Sequence, residues 1–342
     1  MRVILLFLVT TTCIVTSTYS QIPSGYYSAA ENLSDQSLKS ALHNIIDDHE
    51  YFNYTSETRD KLKESDVDPN NGSNIILIYT RESVSGDNHS GWNREHVWAK
   101  SRGDFENKYP EHSDLHNLRA SNISVNSTRS NYSFDECENN CQQTFGNKYN
   151  GSALIFEPRD EDKGDVARII FYMDVRYEGD NGELDLEMTD EIYSISSKLP
   201  RHGVRSTLLQ WHTLDPVDDF ERNRNNVIYS YQGNRNPFID HPELVDYLWG
   251  NNRDNQWSSS LSVSLDREDE VFIPNPIKTE YLTLESDINY TQIELIDMQG
   301  KVIRQLSGYV NRIQMPTSTG IYFLNLKYDN KVIIKKLIVN SI

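Results

Sequence analysis

The chain has 342 residues, with 33 Lys and Arg against 51 Asp and Glu, a net charge of −18 with neutral histidines. Hydrophobic residues make up 37 % and aromatics 11 %, enough for a packed core, which excludes wholesale disorder. The length suits two domains, or one large domain with an appendage. No apolar run of membrane-spanning length follows the first 20 residues, and a chain this acidic is a poor candidate for simply wrapping nucleic acid.

Met1-Arg2 is a short positive start, followed by apolar stretches from Val3 to Val9 and Cys13 to Val15. Thr18 and Ser20 are the small residues of a cleavage site, so residues 1–20 read as a signal peptide cut before Gln21. Residues 34–48 fit an amphipathic helix, capped by Ser34 or Asp35, with Leu38, Leu42, Ile45 and Ile46 on one face. Ile75 to Tyr79 reads as a short buried strand. Residues 80–150 are rich in Asn, Ser, Asp and Gly and read as loop. After signal removal Cys137 and Cys141 remain, four apart in an exported chain, which suggests a small disulfide loop or two free thiols. Zinc is disfavoured, because it needs about four ligands and no histidine is near this pair. The acidic run Asp160 to Asp165 lacks the ligand positions of an EF-hand and reads as a solvated loop. Asp165 to Tyr177 is expected to be a mostly buried helix, and Asn236 to Trp249 a turn with a short helix.

The composition changes near Asp266. Residues 266–270 form an acidic linker. From Val271 onward the pattern is strands, with a hairpin expected around Asp329-Asn330, as in a small β-sandwich. Residues 266–342 carry 10 acids and 9 bases, so the acidity lies in the preceding domain, residues 21–265.

The most informative stretch is Trp92-Asn93-Arg94-Glu95-His96-Val97-Trp98. It is followed by Asp114-Leu115-His116-Asn117-Leu118 and by Ser124 to Asn131. Together they supply carboxylates, an imidazole, amide oxygens and a guanidinium. That inventory suits metal-assisted phosphodiester hydrolysis. A hard cation such as Mg²⁺ takes oxygen ligands and keeps several waters, so one carboxylate and one amide can suffice. A histidine neutral near pH 7 can deprotonate the attacking water.

Asn93 to Val97, Asp114 to Leu118, and Val125-Asn126 with Arg129-Ser130-Asn131 closely resemble the endonuclease I family of secreted or periplasmic nucleases. The likeness continues through Lys163 to Arg168 and Asp174 to Tyr177, then Trp211-His212 and Gln232 to Pro242, covering roughly residues 25–255. The resemblance implies an α+β domain with a ββα-metal (His-Me finger) core. It implies His96 as general base, Glu95 and Asn126 as metal ligands with Asn126 on the helix, and Arg129 contacting phosphate or bracing the site. It further implies Mg²⁺, with Mn²⁺ or Ca²⁺ as substitutes, and cleavage of DNA, often RNA too, to 5′-phosphates without strong sequence preference. Propensity alone disfavours a helix between Arg119 and Ser130. Arg94, Lys100, Arg102, Arg119 and Arg129 are expected to make the cleft locally positive.

The remaining histidines read as structural or surface groups, with His89, His112 and His202 in polar surroundings and His116, His212 and His241 in hydrogen bonds. Residues 271–342 resemble the sorting domain of type IX secretion, through Asn275-Pro276, Ile293 to Val302, Gly320 to Leu324 and Lys335 to Val339. The expectation is an α+β nuclease domain followed by a small all-β, immunoglobulin-like sandwich. Such a chain would meet DNA or RNA and the type IX machinery, without stable membrane insertion, as a monomer that is secreted or at the cell surface. The competing reading is an inactive surface adhesion or binding protein on a nuclease scaffold.

Overall fold

The computed structural model describes residues 22–88, 90–259, 277, 279–284, 290–297, 301–308, 312–328 and 331–339. The expected signal peptide, the 266–270 linker, His89 and the Asp329-Asn330 turn lie outside the described residues. The chain divides into two compact units, Met1–Ser262 and Val263–Ile342.

The first unit is mixed α and β. Helix α1 (Asp35–Ile46) buries Leu38, Leu42 and Ile46, the face its spacing predicts. It is followed by α2 (Thr58–Ser65) and a three-stranded sheet of β1 (Val67–Asp68), β2 (Asn71–Ile76) and β3 (Ser83–Ser85). The strand expected at 75–79 thus starts earlier and ends at Ile76. Beyond it Ile78 bridges to Ser121, and Tyr79 turns into the left-handed region at φ 71°. Next come the antiparallel pair β4 (Asn93–His96) and β5 (Leu118–Ser121), then α3 (Ile123–Arg129). The strands β6 (Ser133–Phe134), β7 (Gln142–Thr144), β8 (Asn147–Asn150) and β9 (Ile155–Glu157) make a four-stranded sheet in the order β6-β9-β8-β7. The 80–150 region is therefore not simply loop. Its strands are only two to four residues long, some in short hairpins and others, β4 with β5 and β6 with β9, paired across more than about 20 residues, which local propensity does not register. A disulfide joins Cys137 to Cys141 beside β7.

Helix α4 (Asp160–Arg176) forms the centre, buried from Asp162 to its end. The expected solvated loop at 160–165 is instead its first turn. Acidic residues suit a helix N-terminus, and Asp162 is neutralised by Arg81 at 2.7 Å and Arg159 at 3.2 Å. Further along, Arg168 makes a two-pronged ion pair with Glu221 at 2.7 and 2.6 Å. Gly164 permits the closest approach. A Cβ there would sit 2.0 Å from the Asp215 carbonyl oxygen, and its N–H donates to the Asp215 carboxylate at 2.8 Å. The parallel pair β10 (Glu187–Met188) and β11 (Arg201–His202) leads to α5 (Arg205–Leu214), α6 (Asp219–Gln232), α7 (Pro237–Asp240) and α8 (Leu244–Trp249).

The second unit is all β among the described residues. Strands β12 (Tyr281–Thr283) and β15 (Arg312–Gln314) pair antiparallel. Strands β13 (Gln292–Asp297), β14 (Val302–Ser307), β16 (Gly320–Tyr328) and β17 (Lys331–Val339) form a sheet in the order β14-β13-β16-β17. Leu282 and Ile313 from the pair share one core with Leu295, Leu324 and Leu337 from the sheet.

Candidate active site

Strand β4 carries Glu95 and His96, and its alternation sends them to opposite faces. Asn93 and Glu95 face α3, whereas Arg94 and His96 face Tyr54 and His112. Among the described residues the strand pairs with β5 alone.

On the α3 face the helix exists because Asn122 caps it, its side-chain oxygen accepting from the N–H of Ser124 at 3.0 Å and of Val125 at 3.3 Å. That cap, with Val125 and Arg129 buried one turn apart, outweighs the poor propensity of the segment. The Asn126 amide nitrogen donates to Asn93 Oδ1 at 2.9 Å and to the Arg94 carbonyl at 3.4 Å, which leaves its oxygen as the free end of the group. Three residues on, Arg129 Nε lies 3.2 Å from Glu95 Oε1, and the Tyr79 hydroxyl donates to the same oxygen at 3.0 Å. Among the described residues no hydrogen bond is made to Oε2. Burial pushes the Glu95 carboxyl up to about 6, opposed by Arg129 and the Tyr79 hydrogen bond. A buried carboxylate and an amide oxygen on the same face of β4 are oxygen donors of the type a small hard cation takes.

Arg129 itself is fully buried. It donates to the carbonyls of Val97 and Ser130 and to His202, and lies 4.5 Å from the Phe134 ring centroid. Of the two roles expected for it, the geometry serves bracing of Glu95 rather than contact with phosphate.

On the other face, His96 Nε2 lies 2.9 Å from the His112 carbonyl oxygen. A carbonyl can only accept, so Nε2 carries the hydrogen and Nδ1 keeps its lone pair in the neutral ring. Burial lowers the His96 pKa to about 3, which keeps the ring neutral at pH 7. The ring stacks with Tyr54 (centroids 5.3 Å apart) and His112 (5.2 Å).

Cations near β4 divide differently from the sequence expectation. Arg102, Arg119 and Arg129 are interior, with Arg119 paired to Asp165 at 3.2 Å and Arg102 donating to three backbone carbonyls. Lys100 pairs with Glu106. Arg94 instead lies 3.8 Å from the Tyr54 ring centroid, and Arg59 lies 4.1 Å from that of Trp92. Neither guanidinium has a carboxylate within ion-pair distance among the described residues; Arg94 is on β4 itself and Arg59 packs against Trp92 just before it. Sequence reasoning missed Arg59, Tyr54, Tyr79 and His112, and expected His202 in polar surroundings, whereas its ring is buried against Trp98 and Phe134. Asp114 and Asn117 are scaffold. Asp114 accepts from Tyr172, Tyr177, Gln232 and the His116 N–H, and Asn117 exchanges two hydrogen bonds with the Trp98 backbone. The bonds expected of His116, His212 and His241 run to Asn234, Pro242 and Glu243.

With this geometry in place, the Endonuclease I family model matches residues 34–243. The chain belongs to the endonuclease I family. A second model, the secretion system C-terminal sorting domain, matches residues 271–340. The chain is 51 % identical over 229 residues to the extracellular ribonuclease of Bacillus subtilis (strain 168), covering 66 % of this chain and 78 % of that one. The extracellular ribonuclease of Bacillus amyloliquefaciens is 48 % identical over the same shares. Endonuclease-1 of Buchnera aphidicola subsp. Acyrthosiphon pisum is 29 % identical over 40 % of this chain and 48 % of its own. The protein is thus an exported member of a nuclease family, secreted or at the cell surface. No helix among the described residues is long and apolar enough to cross a membrane.

Proposed function

We propose that the protein is a metal-dependent, largely sequence-nonspecific endonuclease that hydrolyses DNA and RNA to 5′-phosphate products. The single observation that carries this reading is the division of labour on β4. Glu95, with an unbonded oxygen, shares a face with Asn126, while His96 on the other face has its tautomer set by the His112 carbonyl. In this reading β4, β5 and α3 are the ββα-metal unit of a His-Me finger. Glu95 and Asn126 would hold Mg²⁺, with Mn²⁺ or Ca²⁺ as substitutes. The bound ion would stabilise charge on the phosphate and on the leaving oxygen.

The chain's own residues do the rest. His96 Nδ1 takes a proton from the attacking water. The carbonyl on Nε2 holds the ring in register and supports the cation that forms, against the burial that disfavours it. Arg129 and Tyr79 hold Glu95 in place without entering the reaction. Arg59 and Arg94, free of carboxylate partners, engage the backbone phosphates that flank the scissile bond. The second unit is read as an immunoglobulin-like sandwich that directs export through the type IX machinery, and the enzyme as a monomer.

The test is incubation of the full chain with supercoiled plasmid and with RNA, in Mg²⁺ and in EDTA, beside His96→Ala. Metal-dependent cleavage that falls by roughly 10²–10⁴ in the variant is expected. A folded, metal-supplied protein that cuts neither substrate would sink the nuclease reading and leave a surface binding protein.

A further inference from the structure

A run of rings leads from the candidate base to the surface. His112 stacks on His96 with ring planes 21° apart. Tyr109 meets the His112 ring edge-on, centroids 5.9 Å apart. Tyr51 then lies against Tyr109 at 5.5 Å with planes 35° apart. Tyr51 is 59 % exposed and Tyr109 37 %. Single exposed aromatics are ordinary on a protein surface. Two in mutual contact, joined ring by ring to a catalytic imidazole, call for another account.

The segment that carries Tyr51 is also fastened to the site. Phe52 N–H donates to Ser113 Oγ at 3.4 Å, and Tyr54 N–H to the Tyr109 hydroxyl at 3.3 Å. From β4 itself, Arg94 donates to the Tyr54 carbonyl and covers the Tyr54 ring. A group stacked on Tyr51 would therefore hold a set position relative to His96.

We propose that Tyr51 and Tyr109 form a base-stacking subsite, which takes an unpaired nucleobase beside the bond to be cut and makes single-stranded nucleic acid the preferred substrate class. The inference rests on the nuclease reading. A base in a duplex has both faces covered by its neighbours, whereas an unpaired base offers one to a tyrosine. Every base has such a face, so the subsite selects strandedness and not sequence. Arg94 and Arg59, with no carboxylate partners among the described residues, lie against Tyr54 and Trp92 and would be the cations to meet the backbone phosphates of the same strand.

The test uses the full chain with Mg²⁺ and three substrates: a single-stranded oligonucleotide, its duplex, and a strand of the same length made of abasic residues. The parent is expected to show its lowest KM on the base-bearing single strand. Tyr51→Ala should raise that KM roughly 5- to 100-fold, leave kcat within about twofold, and leave the abasic strand unchanged, while Tyr51→Trp restores the parent value. Tyr51 is exposed and its mapped contact is the Tyr109 ring, so an unchanged melting temperature serves as the folding control. An unchanged KM on the single strand, or an equal loss on base-bearing and abasic strands, would overturn the subsite while leaving the nuclease intact. A parent that cuts none of the three would fail the nuclease reading itself.

Discussion

Replacing Arg129 with methionine removes a buried guanidinium and leaves the Glu95 carboxylate with the Tyr79 hydroxyl as its one remaining side-chain partner. Arg129 is fully buried and Glu95 is 3 % exposed, so water does not replace the lost charge. Breaking a buried pair by deleting one partner costs about 3–5 kcal/mol. In a unit of this size each kcal/mol moves the melting temperature by about 2–4 °C, so a fall of roughly 6–20 °C is expected. The assay is calorimetry of the full chain, following the larger unit, for Arg129→Met, Glu95→Gln and the double variant. The double should recover part of the loss, because it also removes the stranded carboxylate charge. A melting temperature within about 2 °C of the parent, together with lost cleavage, would refute the reasoning and make Arg129 a substrate contact.

Two further outcomes follow from the packing. Gly164→Ala would drive a methyl group into the Asp215 carbonyl oxygen, 2.0 Å from the ideal Cβ. α4 and the α5–α6 turn must then separate at a cost of about 1–3 kcal/mol, read as a lowered urea midpoint; an unchanged midpoint would mean that the approach is not rigid. Acid should also weaken the fold through buried imidazoles that accept from guanidiniums, His49 from Arg176 at 2.9 Å and His202 from Arg129 at 3.0 Å. Burial comes first among the causes that lower His49 to about 4, with Asp114 opposing and Arg176 assisting, and burial likewise lowers His202. The unfolded chain therefore takes up these protons first. The stability is complete above about pH 6.5 and is lost as pH falls toward about 4, worth on the order of 3 kcal/mol for His49 alone. A urea midpoint equal at pH 7.5 and pH 5 would contradict this.

Periodicity made α1 legible, since Leu38, Leu42 and Ile46 recur at helical spacing and one face is buried. It also revealed the apolar half of α4 but not its start. Asp160, Glu161 and Asp162 look solvated until Arg81, some 80 residues earlier, is placed against Asp162. The same blindness to remote partners explains the arginines. Arg102, Arg119 and Arg129 resemble surface cations in sequence, yet their partners are backbone carbonyls, Asp165 and Glu95. Within the candidate site, Glu95, His96 and Asn126 could be named through the family resemblance of the short motifs that carry them. Tyr54, Arg59 and Tyr79 could not, because each acts across a gap in the chain that no local pattern spans. Tyr79 carries one local sign, a left-handed φ of 71° in a bulky residue, and that is visible only in the folded backbone.

The acidity of the larger unit and the proposed binding of a polyanion stop conflicting once the charges are sorted by position. Asp66, Asp162, Asp165, Glu157 and Glu221 are buried, and each is paired with an arginine or lysine. These acids offset interior cations and contribute little field at the cleft. Solvent-exposed charges farther away than a Debye length, about 8 Å at physiological ionic strength, are largely screened. What a strand bound at β4 would meet is therefore decided by the nearest charges, and there, among the described residues, Arg59 and Arg94 have no carboxylate partner while Glu95 is paired with Arg129. The net charge of −18 then describes how the protein repels nucleic acid at a distance. Under the proposed function, Arg59 and Arg94 would then hold it at close range, which would suit an enzyme that must release each product strand before it cuts the next.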